Sequence, residues 1–288
     1  MALQLAERLH SPIISADSRQ IYSGFDIGTA KPSPRERQRA VHYAIDICEP
    51  EVAYTVADYQ RLAQSIVAQS HCSGTVPLLV GGTGLYIRSV VRGLKIPRVA
   101  PQPALREQLT VLGQRQGYAM LQQVDPTAAR AIHPNDRVRT LRSLEVFYVT
   151  GIPISHQQGE EPPGYPILQI GLDCENLAQR IERRTQQMLG QGLVAEVAQL
   201  RNRYGDQLPL LKTLGYAEVL RHLQGDISLD EAARQIVAHT RQFAKRQRTW
   251  FRADTSIRWF DAEQPDLLDS VWRCVGEFLN PTANVLTH

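Results

Sequence analysis

A short apolar run that ends in a polar cluster constrains the fold of this chain more than any other feature. Ile13 and Ile14 predict a buried strand, and polar residues follow at the point where that strand should end. These are Asp17, Ser18, Arg19 and Gln20. Open α/β sheets bind ligands beyond the carboxyl ends of their strands, so the cluster is suited to reading a polar, planar group. A solvated loop after a strand is the plain alternative.

A second strand, turn and helix pattern supports an open α/β sheet. Residues 76–80 predict a buried strand that runs into Gly81-Gly82-Thr83-Gly84, and residues 85–91 predict the next helix. Such a turn presents backbone N–H groups to an anion, and the Thr83 hydroxyl adds a donor. No Lys-Ser/Thr pair follows the glycines, so the signal is weaker than a full phosphate loop. A tight turn without a ligand stays open.

The order of the remaining elements predicts an α/β core with a helical insertion. Further strands are predicted at 44–47, 167–172 and 256–260, and a helix at 54–69. Residues 104–150 predict helices only, between a Pro-rich linker at 93–104 and a second crossing at 151–166. We therefore predict a parallel sheet flanked by helices. The predicted core comprises residues 1–97 and 165–288 with C-terminal basic helices, and the predicted insertion comprises 98–164.

Composition excludes several classes of protein. The 288 residues carry a net charge of only +3, so local clusters of basic residues matter more than total charge. The 4 cysteines are far apart and form no CxxC pair, which favours a reducing compartment and argues against a zinc site or disulfide framework. No apolar run approaches the roughly 20 residues that cross a bilayer, and no signal peptide is evident. The expected location is the cytoplasm.

Two arginines on one helix suggest an anion site. Arg180 and Arg184 are four apart on a helix predicted from 176 to 188, hence on one face. Like charges at that spacing cost a few tenths of a kcal/mol in an isolated helix, and a facing anion would offset that cost. A solvated helix balanced by Glu182 is the alternative.

Residues 240–252 form the most basic segment and suggest RNA binding. On a helix, one face carries Arg241, Lys245, Arg248 and Arg252, with Phe243, Trp250 and Phe251 off it. The segment contains no acidic residue. A basic face with aromatic neighbours suits a phosphate backbone and exposed bases. A solvated helix with an apolar underside is the alternative.

Taken together, these stretches resemble the tRNA dimethylallyltransferases, which prenylate adenosine beside the anticodon. The resemblance covers nearly the whole chain. It is carried by ISADSRQIYSGFDIGTAKP at 14–32, LLVGGTGLY at 78–86, HPNDRVRTLRSLEV at 133–146, QRIERRTQQML at 179–189, LKTLGY at 211–216 and TRQFAKRQRTWFR at 240–252. Six stretches in the same order make the resemblance highly specific.

The resemblance implies a fold, a reaction and a set of partners. It implies a P-loop NTPase-like α/β core and a monomeric enzyme that uses Mg²⁺. The dimethylallyl group of dimethylallyl diphosphate would move to N6 of adenosine 37, which is flipped from the anticodon stem-loop of tRNAs reading codons that start with U. Asp17 would be the general base that accepts the N6 proton.

Further residues match family positions with implied roles. Thr83 and Arg106 would join Asp17 as catalytic residues that contact the tRNA close to the reacting centre. Arg180 and Arg184 would face the diphosphate and stabilise the leaving group. The implied tRNA-binding residues are Asp17, Ser18, Arg19, Gln20, Arg137, Arg139, Arg142, Lys212, Gly215, Tyr216, Lys245, Arg246 and Trp250.

One departure from the family pattern lowers the expected activity of the chain as written. Family members carry a strand and a phosphate loop of the form G-x-T-x-[ST]-G-K-[ST] just ahead of the helix at residues 2–9, and this sequence lacks the motif. Either the protein starts further upstream, which we favour because the other stretches are intact, or the chain is a truncated product. We expect weak or no transfer and poor solubility from the chain as written.

Two other functions stay open on the sequence alone. A P-loop small-molecule kinase would need a phosphate-binding lysine and a nucleotide lid, and it leaves the basic segment 240–252 unexplained. A non-catalytic RNA-binding protein derived from the enzyme follows if the truncation is real.

Overall fold

The computed structural model describes residues 1–280 and divides the chain into two compact units. Unit 1 consists of Met1–Ile87 and the described chain from Pro166 onward, and unit 2 consists of Arg88–Tyr165. We propose that these units correspond to the α/β core and the helical insertion predicted from the sequence.

From residue 2 to residue 111, helices and strands alternate as expected of an α/β chain, and runs of consecutive helices follow. The strands in residues 1–280 are β1 (Ile13–Ser15), β2 (His42–Tyr43), β3 (Leu78–Val80), β4 (Leu94–Lys95), β5 (Gly159–Glu160), β6 (Gln169–Asp173) and β7 (Ile257–Asp261). The helices of the same residues are α1 (Ala2–Leu9), α2 (Pro34–Arg37), α3 (Val56–Cys72), α4 (Gly84–Val91), α5 (Pro103–Val111), α6 (Gln114–Val124), α7 (Pro126–Ala131), α8 (Arg137–Thr150), α9 (Ile154–Gln157), α10 (Leu177–Gly190), α11 (Leu193–Tyr204), α12 (Tyr216–Leu223), α13 (Leu229–Arg252) and α14 (Leu267–Leu279). A short 3₁₀ turn, Pro209–Lys212, precedes α12.

The central strand of unit 1 is β1, which carries the polar cluster at its carboxyl end. It pairs in parallel with β2 on one side and with β3 on the other, so the order is β2-β1-β3. All three residues of β1 are buried. Parallel strands are typically buried on both faces, which explains why Ile13 and Ile14 form a continuous apolar run. The predicted parallel sheet is confirmed.

The strands β6 and β7 form a second parallel pair in unit 1. Their register runs from Gln169 opposite Ile257 to Asp173 opposite Asp261. Hydrogen bonding therefore divides the parallel strands of unit 1 into two sheets. An apolar cluster centred on Leu5, Val271 and Val275 packs α1 and α14 together, with Leu78 and Ile170 against it.

The predicted strand at 44–47 is wrong, and the reason lies in the backbone. The strand in this region is β2, which ends at Tyr43. Ala44 and Asp46 have φ values of 61° and 54°, in the left-handed region that strands do not use. The chain turns there, and Asp46 directs its carboxylate to Lys31 and Arg37.

Unit 2 is mainly helical and has its own core. Its buried cluster includes Leu109 of α5, Leu121 of α6 and Leu144 of α8. The prediction of helices only for residues 104–150 is confirmed by α5, α6, α7 and α8, and the sequence pattern missed the short α9. It also missed the antiparallel pair of β4 and β5, whose two-residue strands are too short for a periodic signal.

Helix ends in unit 1 follow the local sequence closely. Thr55 and Asp58 form a capping box at the start of α3, with N–H to side-chain distances of 3.2 and 3.1 Å. Gly215, with a φ of 86°, lies directly before α12 at the point where the chain turns into the helix. Among residues 1–280, no helix combines the length and apolar character that crossing a membrane requires.

Candidate functional site

The loop after β1 folds back on the carboxylate of Asp17. Its Oδ1 accepts the backbone N–H of Arg19 at 2.8 Å, which closes a tight turn at the end of the strand. Asp17 is partly exposed and lines a cavity of about 310 Å³ together with Ser15 and Gln20. The carboxylate therefore stays accessible to a ligand while one oxygen is held by the backbone.

The glycine turn after β3 meets the loop after β1. The Thr83 backbone N–H donates to the Ala16 carbonyl at 3.0 Å, and the Ser18 N–H donates to Thr83 Oγ1 at 3.0 Å. A Cβ added at Gly81 would lie 2.3 Å from the Ala16 carbonyl, so the two strand ends approach closely enough to require glycine there. The structure thus brings Asp17, Ser18 and Thr83 to one sheet edge.

Gln20 acts as a brace inside the loop that follows. Its Oε1 accepts the Ser15 hydroxyl at 2.9 Å, and its Nε2 donates to the carbonyls of Thr29 and Ala30 at 3.1 and 3.2 Å. Both ends of the amide are therefore engaged. The predicted contact between Gln20 and a nucleotide stays a prediction.

Lys31 is an ion-pair centre that the sequence pattern did not single out. Its side chain is 2% exposed, and its ammonium donates to the Tyr22 carbonyl at 2.6 Å and to Asp26 and Asp46 at 2.8 and 2.5 Å. Burial raises the pKa of Asp46, but hydrogen bonds from Lys31 and Arg37 outweigh it, so that pKa is lowered from its usual value. Lys31 therefore fixes the far end of the loop that begins at Asp17.

The basic helix α13 reaches the glycine turn. Gln247 Nε2 donates to the Gly82 carbonyl at 2.9 Å. A Cβ added at Gly84 would lie 2.3 Å from the indole nitrogen of Trp250, so this ring packs directly on the turn. Trp250 nevertheless keeps an exposed surface, and Lys245 and Arg246 are also exposed. The structure thus places these three predicted tRNA-binding residues on the same helix segment that contacts the Thr83 turn.

The basic face predicted for α13 is partly neutralised by acidic residues from elsewhere in the chain. Arg241 pairs with Glu182 of α10 at 2.5 Å, and both Arg248 and Arg252 pair with Asp173 at the end of β6. Burial raises the pKa of Asp173, but hydrogen bonds from Arg248 and other neighbours lower it below its usual value. The acidic partners come from distant parts of the chain. The lack of acidic residues within 240–252 therefore does not leave the cations of this segment unpaired.

Arg180 and Arg184 lie exposed on one face of α10, as the helical spacing predicts. Within residues 1–280, neither side chain forms a hydrogen bond or ion pair with an acidic group. Glu182, the residue expected to balance them, is instead paired with Arg241. The geometry leaves both guanidinium groups available to an anion, and the diphosphate as that anion stays a prediction.

The segment before α12 places its predicted residues differently. Lys212 is exposed and donates to Gln207 Oε1 at 3.0 Å. Tyr216 is only 1% exposed, and its hydroxyl donates to Glu196 Oε1 at 2.7 Å. In this conformation Tyr216 holds other protein groups, and its contact with tRNA stays a prediction.

In unit 2, Arg106 and Arg142 both pair with the buried carboxylate of Glu145. Glu145 is fully buried and accepts from Arg106 Nε and Nη2 at 2.7 and 2.8 Å and from Arg142 Nη1 at 2.7 Å. The Gln102 backbone N–H adds a bond at 2.7 Å. Burial alone would raise the pKa of Glu145, but these hydrogen bonds outweigh it and lower the pKa to about 2.

The remaining predicted residues of unit 2 lie at the start of α8. Arg137 and Arg139 are exposed. Asp136 caps the helix by accepting the Arg139 N–H at 3.0 Å, and its carboxylate also pairs with the Arg139 guanidinium.

Replacing Glu145 should destabilise unit 2 in a pH-dependent way. Because the folded pKa of about 2 lies below the usual glutamate value of 4.5, the stabilisation is complete above about pH 4.5 and is lost as pH falls toward 2. We expect Glu145→Gln to lower the free energy of unfolding by about 3 kcal/mol at pH 7. This value is at the lower end of the range for breaking a buried ion pair, because both arginines are partly exposed. Hydrogen exchange of unit 2 in urea, followed by mass spectrometry, measures this cost.

The matched control is Glu160→Gln, which breaks the exposed pair with Arg88. It should change the free energy of unfolding by less than about 1 kcal/mol. A difference between Glu145→Gln and the unsubstituted protein that does not shrink between pH 4.5 and 2 would contradict the assigned pKa.

The parallel sheet flanked by helices makes this an α/β protein, and the solved structures that resemble it have a P-loop NTPase-like fold. A family model described as IPP transferase matches residues 20–254. The tRNA dimethylallyltransferase of Nostoc punctiforme is 64% identical over 284 residues, which cover 98% of this chain and 93% of that protein. The chain therefore belongs to the IPP transferase family.

Solved structures agree with this membership. The full-length tRNA isopentenylpyrophosphate transferase from Bacillus halodurans has a TM-score of 0.72 at 33% identity and covers 100% of this chain and 94% of its own. A eukaryotic dimethylallyltransferase acting on tRNA has a TM-score of 0.81 at 24% identity, over 98% of this chain and 76% of that one, and supports the fold. The predicted family, fold class and prenyltransferase activity in tRNA modification are confirmed.

Proposed function

We propose that this chain transfers the dimethylallyl group of dimethylallyl diphosphate to N6 of adenosine 37, beside the anticodon of tRNAs that read codons starting with U. The observation that carries this proposal is the meeting of Asp17, Ser18 and Thr83 at one sheet edge, beside a cavity and under the exposed Trp250. The proposed enzyme works as a monomer in the cytoplasm, where its tRNA substrate resides.

Asp17 serves as the general base in the proposed reaction. The N6 lone pair forms a bond to C1 of the dimethylallyl group while the C1–O bond breaks and its electrons leave with diphosphate. The N6 proton passes to the Asp17 carboxylate, since a positioned carboxylate accepts a proton as the new bond forms. The Arg19 N–H on Oδ1 orients the carboxylate for this task.

The groups around Asp17 hold the target nucleotide. A purine must leave the base stack to reach a pocket of this kind, and in the proposed complex Ser18 and Arg19 contact the flipped adenosine. Thr83 supports Ser18 through its hydroxyl. Arg106 is proposed to contact tRNA close to the reacting centre, with its guanidinium oriented by Glu145.

In the proposed complex, further basic and aromatic side chains contact the rest of the anticodon stem-loop. Exposed cations bind the phosphate backbone, and the exposed face of Trp250 offers a surface on which a base can stack. The proposed contacts beyond Asp17–Gln20 are Arg137, Arg139, Arg142, Lys212, Gly215, Tyr216, Lys245, Arg246 and Trp250.

The diphosphate is bound by arginines, and Mg²⁺ enters with it. Arg180 and Arg184 present two guanidinium groups from one face of α10, which suits charge developing on the leaving group. Residues 1–280 contain no group of three or more His, Cys, Asp or Glu side chains able to hold a metal. Mg²⁺ would reach the site bound to the diphosphate and would neutralise part of its charge.

Mapping the reaction product tests the proposed function. The protein, in excess, is incubated with Mg²⁺, dimethylallyl diphosphate and an anticodon stem-loop from a tRNA that reads codons starting with U. Nuclease digestion and mass spectrometry should locate a dimethylallyl group on N6 of adenosine 37. A stem-loop with guanosine at that position should stay unmodified. Modification of another adenosine, with adenosine 37 unchanged, would contradict the proposal.

A further inference from the structure

The carboxylate of Glu196, on α11, is surrounded by hydrogen-bond donors from the loop after β1. Its Oε2 accepts the backbone N–H groups of Asp26 and Ile27 at 3.2 and 2.7 Å. Its Oε1 accepts the Gly28 N–H at 3.2 Å and the Tyr216 hydroxyl at 2.7 Å. Successive backbone N–H groups in a turn form an anion-binding concavity, and here the anion is a side chain about 170 residues further along the chain.

Tyr216 closes this concavity from the other side. A Cβ added at Gly28 would lie 2.4 Å from the tyrosine ring, and the Phe25 ring centroid is 4.7 Å from that of Tyr216. Burial, followed by the Glu196 charge, raises the pKa of Tyr216, so its hydroxyl stays protonated and donates. The turn at residues 26–28 is therefore held between a carboxylate and an aromatic ring.

The same loop is connected to the proposed catalytic residues by hydrogen bonds. Directly after the turn, the carbonyls of Thr29 and Ala30 accept from Gln20 Nε2. Gln20 Oε1 accepts from Ser15, two residues before Asp17. Any shift of the turn at 26–28 therefore moves the brace that sets the end of β1.

We propose that Glu196 is a positioning residue for transfer, acting through the 26–30 loop and Gln20 on the placement of Asp17. The proposal rests on the proposed function of Asp17 as the base. Glu196 itself contacts loop backbone and Tyr216, so it acts on the reaction through other residues. Its negative charge matches a loop segment whose N–H groups have no strand or helix partner to bind.

Replacing Glu196 should slow transfer while leaving tRNA affinity nearly unchanged. Glu196→Ala removes the acceptor for all four donors, and we expect the single-turnover rate at saturating substrates to fall about 10- to 100-fold, because a displacement near 1 Å can cost about 10²-fold in rate. Glu196→Gln keeps one acceptor oxygen but places an NH₂ group opposite N–H donors, so its rate should lie between those of the parent protein and Glu196→Ala. The tRNA Kd, from filter binding, should stay within about threefold, because Glu196 contacts no phosphate and the Tyr216 ring stays packed against Gly28 and Phe25 without it.

A double-mutant cycle with Asp17→Ala separates positioning from a general loss of structure. If Glu196 acts through Asp17, the Asp17→Ala/Glu196→Ala protein should be no slower than Asp17→Ala alone. Gln199→Ala, an exposed change on the same helix, is the matched control and should transfer at the parent rate. If Glu196→Ala does not fold, the cycle is run with Glu196→Gln, whose shape is nearly unchanged.

Three results would overturn the positioning role. The first is a Glu196 variant that transfers at the parent rate. The second is a double variant whose rate loss is the product of the two single losses. The third is a higher tRNA Kd with an unchanged transfer rate at saturating substrates. Failure of the proposed function is distinguishable, because it appears as a parent rate in the Asp17→Ala single variant, whatever Glu196 does.

Discussion

Asp17→Ala should slow dimethylallyl transfer by about 10²- to 10⁴-fold, the usual effect of losing a positioned general base. The carboxylate lies at the carboxyl end of the central strand, beside Ser18 and Thr83, where a flipped adenine can present N6. Because the change removes no phosphate contact, tRNA binding should be retained. Single-turnover transfer to an anticodon stem-loop with excess protein measures the effect, since a slow parent rate stays measurable under those conditions.

A second substitution at the same position distinguishes the role of Asp17 as a general base from its role in closing the turn. Asp17→Asn keeps an oxygen that can accept the Arg19 N–H but cannot take a proton, so it should be about as slow as Asp17→Ala. Asp230→Ala removes an exposed carboxylate at the start of α13 and serves as the control, with an expected rate within about twofold of the parent. A nearly normal rate in Asp17→Asn would show that Asp17 shapes the loop and is not the base.

Removing Arg180 and Arg184 together should have the second largest effect. Deleting one donor that stabilises developing negative charge costs about 10²- to 10³-fold in rate in well-studied sites. The double alanine variant should therefore lose at least about 10²-fold in kcat/KM for dimethylallyl diphosphate. Steady-state kinetics with varied donor and saturating stem-loop measure this loss, and the tRNA Kd should change little.

Arg183 offers a matched control for the pair on α10. It is an exposed arginine on the same helix, about 100° around the helix axis from Arg184 and about 60° from Arg180, so it tests whether any nearby cation suffices. Arg183→Ala should keep kcat/KM for the donor within about twofold, as expected of an exposed side chain with no role. Equal losses in Arg183→Ala and in the double variant would point to total helix charge and not to a specific diphosphate contact.

The sheet edge that carries the site is largely predictable from local sequence. Ile13 and Ile14 are β-branched and apolar, and polar residues follow them directly. Residues 78–80 likewise form a strand that is followed by a turn, which carries Thr83. Since parallel strands end at one edge, the meeting of the loop that carries Asp17 and Ser18 with Thr83 follows from two local patterns and one topological rule.

Contacts between distant segments were not predictable in the same way. Glu196 reads as an ordinary polar residue of α11, and only the fold shows that its carboxylate binds the turn at 26–28. The segment 240–252 contains no acid, yet Asp173 neutralises both Arg248 and Arg252 from the end of β6. A local charge count misses such pairs because it depends on neighbours in sequence and the pairing depends on neighbours in space.

Backbone conformation set the other limit on prediction. Residues 44–47 carry the apolar content of a strand, but Ala44 and Asp46 adopt left-handed φ values. The ion pairs of Asp46 with Lys31 and Arg37 stabilise this turn against the strand preference of the isoleucines. Tertiary contacts thus outweighed a weak local propensity.

The central claim is that the Asp17 carboxylate takes the proton from N6 of the target adenosine. An experimental structure of the protein with an anticodon stem-loop and an unreactive donor analogue tests it most directly. The account predicts a flipped adenine with N6 about 2.6–3.2 Å from an Asp17 carboxylate oxygen, the distance expected of a general base. A bound stem-loop whose target N6 faces another acceptor, with Asp17 turned away, would contradict it.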